Sequence, residues 1–139
     1  MVSAEAVEFY CANNDLERDD FVLAKDAYAY HMMNLIDYLV GNNDRHWGNW
    51  GFLVDNDTNR LEKLYPLMDF NKSFLAYDTI DGARCQTSSR KLSQREAAIE
   101  AVRAVGLNQI AEIKPEWFED AAQWQMFCKR MAVVHGESE

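Results

Sequence analysis

Asn42-Asn43-Asp44-Arg45-His46-Trp47-Gly48-Asn49 places one acid, one guanidinium, one imidazole and three amides within eight positions. A loop that merely joins a helix to a strand rarely needs so much polar chemistry, and loops held on a rigid scaffold are where reacting groups concentrate. Asp44 and Asn49 stand five positions apart, and a second acid, Asp69, follows in Pro66-Leu67-Met68-Asp69-Phe70. Two carboxylates and an amide form a set that phosphoryl transfer uses. One carboxylate orients or accepts the proton of an attacking hydroxyl, while the amide and the other carboxylate hold Mg²⁺ against phosphate oxygens. Mg²⁺ keeps several waters, so one Asn and one Asp suffice on the protein side. Plainer roles stand beside these: Asp44 closing an Asx turn and Asn49 capping the start of a strand. Asp69, between Met68 and Phe70, is costly to bury alone. It either meets a cation or hydrogen-bond donors, or caps a turn through Asn71. Arg45 is expected to pair with an acid such as Asp69 or Asp37, and Trp47 and Trp50 to lie in the core or on a packing patch.

These residues need elements to position them. Phe21, Ala24, Tyr28, Met32, Leu35 and Leu39 recur at steps of three and four, which predicts a helix running to about Val40. Ala27, His31, Ile36 and Val40 widen its apolar stripe, and His31 reads as a packed core histidine. Such a helix is about 30 Å long, with Asp19 or Asp20 as its cap and Gly41 as its stop. After the polar loop, Trp50–Val54 reads as a strand, 55–59 as a turn and Arg60–Leu67 as a returning strand. Asp55, Asn56 and Asp57 imitate a calcium loop but lack its glycine and terminal glutamate.

The flanking stretches complete the frame. Residues 1–19 are poorly patterned, with Ala6–Tyr10 as a short helix or the tail of another element and 13–15 as a turn. Residues 71–91 have weak periodicity, and a loop of that length is usually functional or mobile. Ser93 and Glu96 form a capping box, and Gly106 ends the helix they start. Leu107–Ile113 is expected to form another short helix. Pro115 fits the first turn of the last helix, whose stripe is Trp117, Ala121, Trp124, Cys128 and Met131. The expected fold is mainly α: one domain over 1–139, a helical bundle carrying one small β-hairpin.

Composition limits the function classes. The chain has 139 residues and a formal net charge of −9, from 23 acidic against 14 basic side chains. Binding to nucleic acid calls for a dense basic face, and the cluster Arg84, Arg90, Lys91 and Arg95 is thin, so direct nucleic-acid binding is disfavoured. Cys11, Cys85 and Cys128 form no CxxC pair, which points to reduced thiols in a cytoplasmic protein. No apolar run approaches the roughly 20 residues of a membrane span, and the acidic amino terminus does not follow the order of a signal peptide.

With those residues in view, Asn43-Asp44-Arg45-His46-Trp47-Gly48-Asn49 followed by Pro66-Leu67-Met68-Asp69-Phe70 resembles the catalytic and metal motifs of HipA-like serine/threonine kinases, relatives of the phosphatidylinositol kinases. The resemblance spans about residues 20–130 and is sharp between 41 and 73. It implies a kinase C-lobe-like fold, Asp44 as catalytic base, and Asn49 and Asp69 as Mg²⁺ ligands at the ATP site. It also implies His46 as a loop-positioning or phosphate-contacting residue, and residues 71–91 in the activation-segment position. An antitoxin-like DNA-binding partner accompanies some family members, but nothing in this sequence encodes its docking site.

The sequence departs from the pattern too. Asn71 stands where ordinary kinases carry the Gly of Asp-Phe-Gly. About twenty residues precede the central helix, with no GxGxxG and no strand lysine; Lys25 falls within a helix. The expectation is therefore a C-terminal lobe alone (a truncated product, a fragment or a degenerate paralogue), incompetent for transfer without an ATP-binding N-terminal lobe. The alternative is a non-enzymatic remnant that binds a protein partner through the surface such a lobe would cover.

Overall fold

Four α-helices carry most of the described chain, so the fold is mainly helical. The computed structural model describes residues 2–42, 51–55, 57, 60–64, 79–85, 87, 90–108, 110 and 112–137; of hairpin side chains only Phe52 and Asp57 are included. Helix α1 (Ala4–Asn13) starts at Ser3, whose hydroxyl accepts the Ala6 amide proton at 3.2 Å. Val7 and Cys11, four apart, form its buried face. The expected turn follows, with Asp15 at φ 56° and the Leu16 amide donating to the Cys11 carbonyl at 2.9 Å.

Helix α2 (Arg18–Val40) matches the expected span, but its start and its phase differ from expectation. The cap is Glu17, whose carboxylate accepts the Asp20 amide at 2.7 Å, and not Asp19 or Asp20. Asp19 is instead buried beside Arg90, at 3.2 Å. The helix also breaks once, at Asp26 (φ −158°, ψ 75°). The Asp26 carboxylate accepts the Ala29 amide at 3.2 Å and so caps the second segment. A break shifts the angular phase, so the stripe read at constant period holds only in part. Leu35 and Leu39 are buried as expected, but Ala24 and Tyr28 are exposed, and Val22, Tyr30, Met33 and Tyr38 are buried in addition.

The hairpin forms from β2 (Gly51–Asp55) and β3 (Arg60–Leu64), paired antiparallel with Phe52 opposite Leu64 and Asp55 opposite Arg60. A two-residue strand, β1 (Val2–Ser3), adds to the other edge of β2, a pairing that the sequence did not suggest. Helix α3 (Gln94–Val105) has both hydrogen bonds of its capping box, Ser93 Oγ to the Glu96 amide at 3.1 Å and the reciprocal bond at 3.0 Å. Its buried face is small (Ala97, Ala98, Ala101, Val102) and packs on α2.

The carboxyl-terminal part departs further from expectation. The described residues of 107–113 form a turn, with Ile110 donating to Leu107 at 3.0 Å, and not a helix. Pro115–Trp117 makes one 3₁₀ turn. Helix α4 (Ala121–Glu137) begins only after Asp120, whose carboxylate takes the Ala122 amide at 2.7 Å. The short carboxylate, not the proline, sets the start. Consequently Trp117 is exposed, as is Cys128, and the buried line of α4 is Phe127, Arg130 and Val134.

Two apolar clusters result. One joins Val7, Cys11, Val22, Tyr30, Met33 and Phe52. The other joins Leu35, Tyr38 and Leu39 of α2 to Ala98, Ala101 and Val102 of α3 and to Phe127 and Val134 of α4. Among the described residues no helix is long and apolar enough to cross a membrane.

Candidate functional site

Asp44, His46, Asn49 and Asp69 all lie outside the described residues, as do Arg45, Trp47, Trp50 and Asn71. The structure does describe the two ends that the candidate loop joins, the close of α2 at Gly41–Asn42 and the first residue of β2, Gly51.

The close of α2 is tightly specified. Gly41 adopts the left-handed conformation (φ 66°, ψ 35°), which glycine reaches without steric cost. Its amide donates to the Tyr38 carbonyl at 3.2 Å, and the Asn42 amide donates to the Asp37 carbonyl at 2.9 Å. That pair of bonds is the Schellman arrangement, and it satisfies two of the carbonyls a helix end leaves open. The Asn42 side chain then donates to the Asp37 carboxylate at 3.1 Å. Asn42 is fully buried, as expected of an amide satisfied on several sides.

Two distant residues complete the anchorage. Gln94, at the start of α3, donates to the Asn42 carbonyl at 2.6 Å and accepts the Ala83 amide at 3.0 Å. Gly82 (φ 71°) passes so close that a Cβ there would stand 2.5 Å from Gln94 Oε1. Arg130, fully buried on α4, donates to the carbonyls of Tyr38 and Thr79 and stacks 4.8 Å over the Tyr38 ring. A cation there also meets the negative end of α2. The Tyr38 hydroxyl donates to the Ile80 carbonyl at 2.6 Å, and burial raises its pKa, with Arg130 acting in the opposite direction.

The stretch expected as a long loop is pinned wherever it is described. Beyond Thr79 and Ile80, the Cys85 amide donates to Leu92 at 2.8 Å and Gln94 to Ala83 at 2.8 Å. Thr87 donates its hydroxyl to the Asn34 carboxamide, and the Cys85 thiol lies 3.2 Å from Thr87 Oγ1. Arg18 donates to the Thr87 carbonyl at 3.1 Å and to Glu8 at 2.6 Å. Arg90 bridges Asp19 at 3.2 Å and Glu100 at 2.9 Å, and these bonds raise its pKa further. Arg95 pairs with Asp81 at 3.2 Å. The thin basic cluster therefore serves internal pairing at Arg90 and Arg95.

Sequence reasoning missed the roles of Arg130 and Gln94, and it offered Asp37 to Arg45 without seeing its bond to Asn42. Arg130 did carry a signal, lying three residues after Phe127 and four before Val134 on one helical face. Gln94 bonds to partners that no local pattern reveals. Among the described residues no group of three or more His, Cys, Asp or Glu side chains is placed to hold a metal. A cleft of about 970 Å³ opens between residues 106–113 and α4, walled by Leu107, Ile110, Ile113, Trp124, Phe127 and Met131. Among the described residues near the candidate loop, neither Gly41 nor Asn42 lines it.

No family model matches the chain, and no match was found among curated proteins or solved structures.

Proposed function

We propose that this chain is the catalytic, Mg²⁺-binding C-terminal lobe of a HipA-like protein kinase, transferring the γ-phosphate of ATP to a protein Ser or Thr hydroxyl in combination with an N-terminal lobe. One observation carries the reading: the anchored end of α2 leads through the Asp44–Asn49 loop into an antiparallel hairpin, and Asp69 follows that hairpin within five residues of its last strand position, Leu64. Phe52 pairs with Leu64, so the start of β2 and the end of β3 lie side by side, and this supports the reading because the sequence enters β2 from the loop and leaves β3 toward Asp69.

In this reading Asp44 orients the acceptor hydroxyl and takes its proton, and His46 positions the loop or meets the phosphates. Asn49 and Asp69 offer amide and carboxylate oxygens, the donor types that Mg²⁺ takes. The ion, when bound, supplies charge neutralisation at the phosphates.

The test is phosphate transfer from labelled ATP by the chain combined with its N-terminal lobe. Asp44→Ala is expected to lower turnover about 10²–10⁴-fold. Ordinary turnover in that variant would remove Asp44 from the base role, and absence of transfer by the combined wild-type protein would end the kinase reading.

A second reading, a non-enzymatic module that binds a protein partner, has its own support. Phe9 is 73 % exposed, and Tyr10, Leu16 and Tyr28 are also exposed large apolar residues on α1, the turn after it and α2. Calorimetry with Mg²⁺–ATP on the N-terminal lobe, with and without this chain, separates the two. Tighter binding in the presence of the chain favours the kinase lobe; unchanged binding favours the module.

A further inference from the structure

We propose that His31, Arg90 and Glu100 form a pH-sensitive clasp that fastens residues 90–92 onto α2 and α3 near neutral pH and loosens them on acidification. The proposal stands independently of the kinase reading.

Arg90 is half exposed, yet its guanidinium joins two helices, through Asp19 at the start of α2 and Glu100 on α3. His31 lines the same narrow cleft, together with Tyr30, Asn34, Leu92 and Ala97, and this cleft has no room for a water molecule. The His31 ring meets Tyr30 edge-on at 5.6 Å. Its Nδ1 is enclosed and has no hydrogen-bond partner among the described residues.

A neutral ring tolerates that position by keeping its proton on the other nitrogen. An imidazolium has N–H on both nitrogens, so protonation would leave a buried donor without an acceptor, the arrangement proteins avoid. The groups facing the ring act in opposite senses: Arg90 from the 90–92 stretch opposes a second cation, and Glu100 from α3 favours one. Asp19 lies behind Arg90 on the same helix as His31. Burial, the largest influence, lowers the His31 pKa; Glu100 raises it and Arg90 lowers it.

Relief comes if the clasp opens, because the freed imidazolium then competes with Arg90 for the Glu100 carboxylate. The closed state binds a proton less readily than the open one. Closure is therefore fully favoured above the ordinary histidine pKa of about 6.5, and it weakens as pH falls from there toward the lowered value of the closed state. Leu92 accepts the Cys85 amide, so opening also exposes that bond.

The test is amide hydrogen exchange on the full chain between about pH 7.5 and about pH 5.5, corrected for intrinsic rates, together with NMR titration of the imidazoles. Protection of the Cys85 and Leu92 amides is expected to fall about fivefold or more in the wild type, the scale of ordinary site-to-site coupling. It is expected to stay level in His31→Phe, while the interior amides of α3 hold in both. Because linkage is reciprocal, Arg90→Gln should raise the His31 pKa toward its ordinary value. Protection that ignores pH, or that falls equally in His31→Phe, would overturn the proposal. If His31→Phe does not fold, the titration decides: a rise in Arg90→Gln supports the clasp, and an unmoved pKa refutes it.

Discussion

The cluster around Val22, Tyr30, Met33 and Phe52 and the cluster around Leu35, Tyr38, Ala98 and Phe127 share one helix, but they are closed by different means. The first gathers α1, the front of α2 and β2, and exposed Phe9 and Tyr10 stand on the helix that covers it. Its buried arginine, Arg18, is divided between a partly exposed carboxylate, Glu8, and the Thr87 carbonyl. The second ends against backbone carbonyls, and its buried arginine, Arg130, reaches inward to Tyr38 and Thr79 from far along the chain. Apolar contact is enough to place a helix, whereas a helix end and the loop after it need directed bonds, because every open carbonyl must find a donor. The anchored region is the one that leads into the Asp44–Asn49 loop.

Three substitutions sharpen or break this contrast. Arg130→Met should have the largest effect, because it strands the buried Tyr38 carbonyl and the part-buried Thr79 carbonyl, both of which now accept charged hydrogen bonds. A loss on the order of 3–5 kcal/mol is expected in denaturant unfolding. A loss below 1 kcal/mol would mean the second cluster does not depend on its polar anchor. Gly41→Ala keeps every side-chain contact but forces a side chain into the left-handed region, and should cost about 1 kcal/mol in the same measurement. Phe9→Ser should change stability by less than about 0.5 kcal/mol. A large loss there would show that the aromatic belongs to the core and is not a free surface.

Much of the frame was legible because its signals are local. Gly41 as a stop, Ser93 and Glu96 as a reciprocal cap and the antiparallel pairing of two successive strands each involve residues close in sequence, and the described residues carry all three. Legibility failed where a local choice had competitors. Glu17 outranked Asp19 as a cap because Asp19 is taken by Arg90, and Asp120 outranked Pro115 as the start of α4. The break at Asp26 was hidden because the apolar letters continue through it, so the period looked unbroken while the faces rotated. Long-range bonds such as Gln94 to Asn42 leave no trace in spacing. Asp44, His46, Asn49 and Asp69 are legible as types and order, and that is the ground on which their proposed roles rest.

Gly82 has a consequence for how this chain can drift. Any larger residue there would shove the Gln94 amide aside, and that same amide spans both Ala83 and Asn42. A lesion at an ordinary-looking surface bend would thus be felt at the doorstep of the polar loop. On the proposed kinase reading, screens for inactivating changes should return position 82 alongside Asp44 and Asp69, although no proposed reacting group resides there.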